Sequence, residues 1–505
     1  MAGIGFELKK LFSKRGLMAT VKAYGYAGIV TTGPMLLGVA LLLGLTLISY
    51  YGNAVKNDRE LLLSMVTYAL LASLTVTSFY SMITTRYVAD MLYADKRESI
   101  MPSFFGSVGM MLFSGGIIYG VFLYFSGVQF SYQILSWLLF VVLIVAWTET
   151  TYLTALKDYR SILIAFVVSL LIVFSVGFVL ITFTDLNPVN ALMIAVIIGY
   201  SVLATWYFCL IYKYFPEGFG SSTTFLRWVE KYPSLVFVGA FVTLGLFGHL
   251  IIMWTSPLQV QVRGLFYGAP QYDVPALFAF FSILVTTINF VTSVEVRFYP
   301  RYKSYYALFN ERGSINDIDT AEGSMIKVLR DELSYLGQKQ LFSTIIFIVI
   351  GTIIIKHFNL GFTEDMLGTY RVLCVGYAFY AIGNSIMLIL LYFADNKGAL
   401  MSSIFFCVFS NAATWFFKDS YPNYYGFGLV VGGMVFCITA YLRLVVFVKK
   451  LKHHTLSEQP IFVSTKRGFI TVLCEVFESR AERIQKERRA YYDKKLKKMK
   501  DTTKE

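Results

Sequence analysis

The sequence predicts an all-α membrane protein with 12 transmembrane helices, arranged as two halves of six, and with both termini in the cytoplasm. Two observations predict this fold. Of the 505 residues, 56% are hydrophobic and the mean hydropathy is +0.62, whereas soluble domains are about 45–50% apolar. The apolar residues also fall into long runs, and the basic residues between the runs alternate between two sides.

Each predicted span is an apolar run of the length that a membrane-crossing helix needs, ~18 residues or more. The runs are 24–50, 61–85, 103–125, 133–156, 161–183, 188–212, 233–254, 275–294, 341–359, 369–393, 401–417 and 427–448. Only Asp395, Asn396 and Lys397 separate the tenth run from the eleventh. The first run is too long for the apolar region of a signal peptide, so we expect no removable leader.

Lysine and arginine residues set the expected orientation, because cytoplasmic segments of membrane proteins are enriched in them. With the N-terminus inside, the inner segments before residue 449 carry 21 of the 44 basic residues, and the outer loops carry six. Another 16 lie in 449–505. The net charge of +13 is therefore mainly a topology signal. We expect a multi-pass protein of the cytoplasmic (inner) membrane, with no nucleic-acid partner.

Residue patterns typical of enzymes and cofactor sites are scarce. The four histidines lack metal-ligand spacing, and the chain has no phosphate-binding loop ending in Lys-Ser/Thr. Asp317-Ile318-Asp319 resembles a metal motif of sugar-nucleotide transferases, but helix capping explains it at least as well. The five cysteines are interpreted as buried free thiols. We therefore predict no catalytic residue, no metal site, no cofactor and no enzyme activity.

The segment before the first span alternates apolar and charged residues. Residues 1–23 are predicted to form an amphipathic helix at the anionic inner membrane surface, so membrane lipids are an expected partner. Gly33 and Pro34 then interrupt the first span. They are interpreted either as a tolerated kink or as a hinge in a helix that must bend.

The two halves are predicted at 24–212 and 233–448, with a Pro- and Gly-containing linker at 213–232. Because each half has an even number of spans, repeats would be parallel, about an axis along the membrane normal. A weak internal echo supports this arrangement. The second span ends in Thr85-Arg86-Tyr87 and the eighth ends in Val296-Arg297-Phe298.

Two further segments are predicted to lie in the cytoplasm. The loop 295–340 is long for a connection, and an apolar stripe predicts a helix from Asp319 to Gln340, with Asp317 or Asp319 as its cap. The basic tail 449–505 is expected to be a solvated helix, a disordered end or a lipid anchor. The cytoplasmic residues expected to gate a path or dock a partner are Arg86, Arg297, Arg301, Tyr302 and Lys303.

Polar residues inside the predicted spans are candidates for a transport path, because such residues are costly in a bilayer. They are Glu149, His249, Asn289, Asn384 and Asn411. For Glu149 we weigh proton or cation coupling, or the lining of a hydrated cavity, against a structural role. For the three asparagines, hydrogen bonding between helices is the favoured alternative.

Several motifs resemble those of the PelG family, the integral-membrane subunits of Pel exopolysaccharide export systems. These are the first eleven residues, Ala23-Tyr24-Gly25-Tyr26-Ala27-Gly28 with Gly33-Pro34, Thr85 to Asp90 followed by Leu92-Tyr93-Ala94, and the aromatic-basic stretch after the eighth span. The resemblance covers roughly residues 1–450. It implies the polysaccharide and multidrug exporter superfamily, with two six-helix lobes around a central cavity and alternating access.

The resemblance also implies a cargo and partners. The cargo would be an N-acetylgalactosamine-rich polysaccharide for a biofilm matrix. The partners would be a cytoplasmic glycosyltransferase that uses a UDP-sugar and other Pel membrane components, including a cyclic-di-GMP receptor. It implies no role for the basic tail.

Two other functions remain open from the sequence. One is an ion-coupled flippase for a lipid-linked oligosaccharide or a small molecule, and the other is a non-transporting scaffold of a polysaccharide synthase complex. Both transport functions predict a continuous polar or aromatic cavity between the lobes, whereas a scaffold predicts a closed apolar seam.

Overall fold

The structure is a computed structural model that describes residues 38–52, 55–154, 159–216, 218, 220–310, 313–357, 361–420, 425–457 and 468–479. The predicted amphipathic segment 1–23 and the predicted hinge at Gly33 and Pro34 lie outside these residues. So does most of the basic tail. Within the described residues, 11 helices are long and apolar enough to cross a membrane. The predicted total of twelve spans and the location of the termini stay predictions.

In the described part of the first half there are five long helices, one shorter apolar helix and the short linker helix. Their bounds are α1 Gly38–Tyr51, α2 Lys56–Tyr93, α3 Ile100–Phe125, α4 Phe130–Leu153, α5 Tyr159–Phe183, α6 Pro188–Tyr214 and α7 Leu226–Lys231. A 3-10 turn precedes α3 at Arg97–Ser99. The short helix α7 lies in the predicted linker between the halves. We call the end of the bundle that carries α7 the linker end.

The second half contains the remaining helices and one small antiparallel hairpin. Their bounds are α8 Pro233–Met253, β1 Val260–Arg263, β2 Phe266–Gly268, α9 Pro270–Phe280, α10 Leu284–Thr292, α11 Tyr299–Asn310, α12 Ile315–His357, α13 Glu364–Tyr392, α14 Asn396–Phe417, α15 Phe427–Lys449, α16 Leu451–Ser457 and α17 at 469–479. The hairpin lies at the opposite end of the bundle from α7. We call this end the hairpin end.

Polar caps and prolines set several helix ends. The Asn187 side chain accepts a hydrogen bond from the Val189 N–H, and Pro188 occupies the first position of α6. Asp395 caps α14 in the same way through the Gly398 N–H, and its carboxylate also forms an ion pair with Arg443 of α15. The brief polar interruption between the tenth and eleventh runs is therefore a tight, tethered turn.

The predicted eighth span is an interrupted helix. Pro275 lies inside α9, a 3-10 turn at Phe281–Ile283 follows, and a π-helical segment at Ser293–Phe298 joins α10 to α11. A proline removes one backbone hydrogen bond, and 3-10 and π turns mark places where a helix changes direction. Three short helices therefore replace one regular rod over residues 270–310.

The structure differs from the prediction of a long loop at 295–340. The predicted helix is present, but it continues without a break into the ninth span as the 43-residue helix α12. Ser314 and Asp317 cap its start reciprocally: Ser314 Oγ accepts from the Asp317 N–H at 3.2 Å, and Asp317 accepts from the Ser314 hydroxyl at 2.6 Å. Hydropathy separated one helix into a loop and a span because its first half is polar.

Buried side chains form two hydrophobic clusters that correspond to the two halves. One runs from Leu41 to Leu235 with Phe266, and the other runs from Val238 to Leu451. The halves meet where α2 packs along α8. A Cβ added at Gly239 would lie 2.3 Å from the Ser78 carbonyl oxygen, so only glycine permits this approach of the two backbones.

Gly239→Ala should lower the thermal stability of the purified protein in detergent, because the methyl group must push α8 away from α2. We expect a loss of roughly 1–3 kcal/mol. Gly323→Ala is the matched control. Gly323 is exposed on α12 with no atom within 4 Å of an added Cβ, so this change should be neutral or stabilise by up to ~1 kcal/mol. Equal melting temperatures for the two variants would contradict the close packing of α2 against α8 at Gly239.

Candidate functional site

Two cavities follow each other along α2, and residues of both halves line each of them. The hairpin cavity has a volume of about 400 Å³ and borders α2 from Glu60 to Tyr68. The linker cavity has a volume of about 850 Å³ and borders α2 from Tyr68 to Tyr80. These volumes are in the range of small-molecule sites, roughly 300–1,000 Å³. From residue 60 to residue 80, α2 rises by roughly 30 Å, which is about the thickness of the hydrocarbon core.

The hairpin cavity combines aromatic walls with a few polar groups. Phe278, Phe280 and Tyr377 line its second-half side. Its two carboxylates are Glu60 of α2 and Asp273 of α9. Asp273 is held in place, since it accepts hydrogen bonds from the Ala269 N–H at 2.9 Å and from the Trp254 indole N–H at 3.0 Å.

Tyr68 and Trp254 separate the two cavities. Their rings stack with centroids 4.6 Å apart at an angle of 11°, and both residues line both cavities. Tyr68 also donates a hydrogen bond to the Tyr267 carbonyl at 3.0 Å and accepts one from the Tyr267 N–H at 3.1 Å. Since Tyr68 belongs to the first half and Trp254 to the second, this stack is a partition built from both halves.

The β-hairpin fastens the second half to the first at the hairpin end. Arg263 forms an ion pair with Asp58 at 3.2 Å, and the Leu265 N–H donates to the Ser126 carbonyl at 2.8 Å. Gly264 has a φ of +58°, and a Cβ there would lie 1.9 Å from the Ser126 oxygen. Glycine is therefore required on both conformational and steric grounds.

Arg86 and its neighbours hold the linker helix at the opposite end. Arg86 forms an ion pair with Asp90 at 3.1 Å and lies over the Tyr232 ring, 5.3 Å from its centroid. Asp90 accepts a hydrogen bond from the Trp228 indole at 2.8 Å, and Trp228 packs edge-on against Tyr87. The motif at the end of α2 is thus the platform on which α7 rests.

The second-half residues of the predicted gate lie nearby on the π segment and α11. Arg297 forms an ion pair with Glu332 of α12 at 2.7 Å, and Tyr302 donates a hydrogen bond to the Tyr392 carbonyl at 2.9 Å. Arg86 lies within electrostatic range of Tyr302. Arg301 and Lys303 are exposed. Arg86 and Tyr302 therefore come together across the halves, whereas Arg301 and Lys303 face outward.

Glu149 and His249 are buried. Glu149 is 1% exposed, its Oε2 has no hydrogen-bond partner among the described residues, and it acts electrostatically on Tyr207 of α6. His249 Nδ1 shares a hydrogen bond with the Tyr272 hydroxyl at 2.9 Å. Neither side chain lines the two cavities. His249 nevertheless contacts Tyr377, which does line the hairpin cavity.

The three asparagines lie outside both cavities. Asn289 accepts a hydrogen bond from Lys339 of α12 at 2.7 Å. Asn411 donates to the Leu244 carbonyl of α8 at 3.2 Å. Asn384 is half-buried on α13. For Asn289 and Asn411, the observed contacts are the helix-to-helix hydrogen bonds that the sequence favoured.

The residues that form the cavities were not singled out by the sequence. Tyr68 is one of 35 tyrosines, and Trp254 closes a span like any interfacial tryptophan. Asp273 precedes the predicted start of the eighth span, so it was counted with a loop. A carboxylate one turn after Pro270, the first residue of a helix, was the signal that could have identified it. Among the described residues, no group of three His, Cys, Asp or Glu side chains is placed to hold a metal ion.

Comparisons with known proteins identify both a family and a fold. A family model described as "PelG: Putative exopolysaccharide Exporter (EPS-E)" matches residues 1–456. The comparison with curated proteins gives no match. Among solved structures, an outward-facing multidrug resistance transporter of the MATE family, in the MOP superfamily, is 14% identical with a TM-score of 0.56, covering 85% of this chain and 96% of its own.

Two further solved structures show the same likeness. An inward-facing MATE family transporter is 15% identical with a TM-score of 0.54, covering 84% of this chain and 99% of its own. A MOP superfamily transporter from Pyrococcus furiosus is 15% identical with a TM-score of 0.53, covering 84% and 96%. Identities this low establish the fold alone, which is that of a MATE-like transporter.

Proposed function

This chain belongs to the PelG family of exopolysaccharide exporters, and on that premise we propose that it exports a Pel-type exopolysaccharide, rich in N-acetylgalactosamine, through the inner membrane to the biofilm matrix. Family and fold are those of membrane transporters rather than enzymes. The observation that carries the proposal is the pair of cavities in series along α2, separated by one aromatic stack that the two halves share.

The chemistry of the lining suits sugar rings. A pyranose presents C–H groups on its faces and hydroxyls at its rim, and tyrosine and tryptophan offer a flat apolar ring together with a hydrogen-bonding tip. Tyr68, Trp254 and Tyr377 supply such surfaces, and Glu60 and Asp273 supply acceptors for hydroxyls. A wall with few fixed polar groups lets successive sugar units slide, because no single unit is held tightly.

Export requires the Tyr68–Trp254 partition to open. Because one ring belongs to each half, rocking of the halves about the α2–α8 seam separates the rings without unfolding either lobe. Both cavities would then join into one path that spans the hydrocarbon core. We propose that the termini and α7 face the cytoplasm, so that the polymer enters at the linker end and leaves at the hairpin end.

The alternatives are less well supported. A scaffold predicts a closed apolar seam and a transporter a continuous cavity, whereas residues of both halves line two cavities that the Tyr68–Trp254 stack separates. An ion-coupled flippase is favoured by a single observation: Glu149 is a buried carboxylate in α4 with one oxygen unpartnered among the described residues. Polymer export remains the proposal because the family match covers residues 1–456.

A glycosyltransferase would dock on α11, where Arg301 and Lys303 are exposed. Tail residue Lys452 forms ion pairs with Asp319 and Glu322, which fastens α16 to α12. This braced basic surface would receive the synthase, and the other Pel membrane components, including the cyclic-di-GMP receptor, would assemble around it.

Tyr68→Ala and Trp254→Ala should reduce polymer export roughly two- to tenfold, because each removes an aromatic surface for the passing sugar rings, and an aromatic contact is worth about 0.5–1.5 kcal/mol. Export is measured as extracellular polymer in cells that lack the native copy and retain the synthase. Tyr68→Phe keeps the ring and loses only the hydroxyl contacts, so it should export nearly normally. Full export by both alanine variants, at equal membrane levels, would refute the aromatic path.

Glu149→Gln should impair export while the protein still inserts and folds, because the amide keeps the size of the side chain but cannot take up or release a proton. The same secretion assay is used, and membrane level and melting temperature serve as controls. Full export by Glu149→Gln would assign this residue a structural role.

The double variant Arg301→Glu/Lys303→Glu should abolish co-purification of the glycosyltransferase and leave membrane insertion intact. Lys327→Glu/Arg330→Glu, which makes the same charge change at exposed positions of α12, is the matched control and should bind normally. Normal co-purification by the α11 variant, or equal loss by both, would reject this docking surface.

A further inference from the structure

A helix outside the family match lines one end of the larger cavity. The family model ends at residue 456, and α17 covers 469–479. Ile470 and Leu473 of α17 join Leu226 and Val229 of α7 in lining the linker end of the linker cavity. The cavity floor is thus built from the linker between the halves and from the C-terminal tail.

Polar contacts at both ends of α17 fix it to α7. Glu478 forms an ion pair with Arg227 and accepts a hydrogen bond from the Thr224 hydroxyl at 3.0 Å. Glu230 accepts from the Thr471 N–H at 2.9 Å and from the Thr471 hydroxyl at 2.6 Å. Because the Thr471 N–H belongs to the first turn of α17, the Glu230 carboxylate acts as a cap supplied by another helix.

Cys474 lies at the centre of this contact. It is 0% exposed, and its thiol donates to the Thr223 carbonyl at 3.3 Å. Burial raises the pKa of the Cys474 thiol, so the docked thiol is unreactive. The opposite face of α17 stays open, with Phe469, Val472 and Val476 exposed. The hydrogen bonds and the ion pair that Thr471, Cys474 and Glu478 make with another part of the chain go to the short segment 223–230.

We propose that α17 is a detachable plug, which closes the linker cavity at the linker end while it is docked on α7 and opens the cavity to the cytoplasm when it leaves. The exposed apolar face gives the released helix an amphipathic character suited to the membrane surface. This inference concerns access to the cavity and does not depend on which cargo the protein carries.

The test uses the full chain in inverted membrane vesicles with two cysteine reporters and a membrane-impermeant maleimide. The first reporter is native Cys474, with the other four cysteines replaced by serine, and it reports docking. The second is Val236→Cys with all five native cysteines replaced. Val236 lines the cavity near its linker end, so this reporter measures opening.

Glu478→Lys places a lysine against Arg227 and should accelerate labelling of both reporters about tenfold, as expected for the loss of a charged hydrogen bond.

Three controls make the result specific. Ser479→Lys introduces the same lysine side chain at an exposed position of α17 and should leave both labelling rates unchanged. Arg227→Glu/Glu478→Lys restores an ion pair and should return both rates to the wild-type values. Glu230→Gln is a milder change that weakens the cap, and it should also accelerate both labelling rates. It provides the test if Glu478→Lys does not fold.

Two outcomes would overturn the plug. Faster labelling of Cys474 without faster labelling at position 236 would mean that α17 detaches but closes nothing. Unchanged labelling of both reporters in the folded Glu478→Lys and Glu230→Gln variants would mean that these contacts do not hold the helix. Unchanged labelling at position 236 would reject the plug without affecting the proposed export function. Loss of export in a variant whose position 236 is labelled at the wild-type rate would count against the export function and not against the plug.

Discussion

The packing of α2 against α8 is the constraint on which the rest of this structure depends. At Gly239 the two backbones approach so closely that no side chain fits between them, and this contact joins two otherwise separate hydrophobic clusters. The space left between the halves then follows α2, and Tyr68 divides it into two cavities. The β-hairpin, the Tyr68–Trp254 stack and the contacts between Arg86, Asp90 and α7 all involve α2 or the turn that follows α3.

Features with a local cause could be predicted from the sequence. Apolar runs locate the spanning helices because a bilayer demands internal hydrogen bonding, and the described helices follow these runs except at the eighth, which is three short helices, and the ninth, which belongs to the longer α12. The sequence predicts a gate or docking role for Arg86, which stays a prediction, and the structure adds that its partner Asp90 contacts Trp228 of α7. The capping pair of Ser314 and Asp317 is equally local, since three residues separate them.

Features that depend on distant pairs could not be predicted. Nothing in one sequence links Tyr68 to Trp254, or α7 to α17, because their proximity arises only after two lobes have folded and met. The polar residues selected within the spans illustrate the same limit. The side-chain amides of Asn289 and Asn411 form hydrogen bonds with neighbouring helices, which offsets the free-energy cost of placing them in the membrane. The cavity walls instead contain aromatic residues, and composition alone does not distinguish these from the aromatic residues of a membrane interface.

The unbroken helix α12 has a mechanical consequence. Its 43 residues measure roughly 65 Å at 1.5 Å per residue, about twice the ~30 Å hydrocarbon core. Half of this rod therefore stands clear of the lipid, and it is stiff because its backbone ladder has no break. A displacement of the polar half would therefore move the apolar half with it, because both belong to one continuous helix.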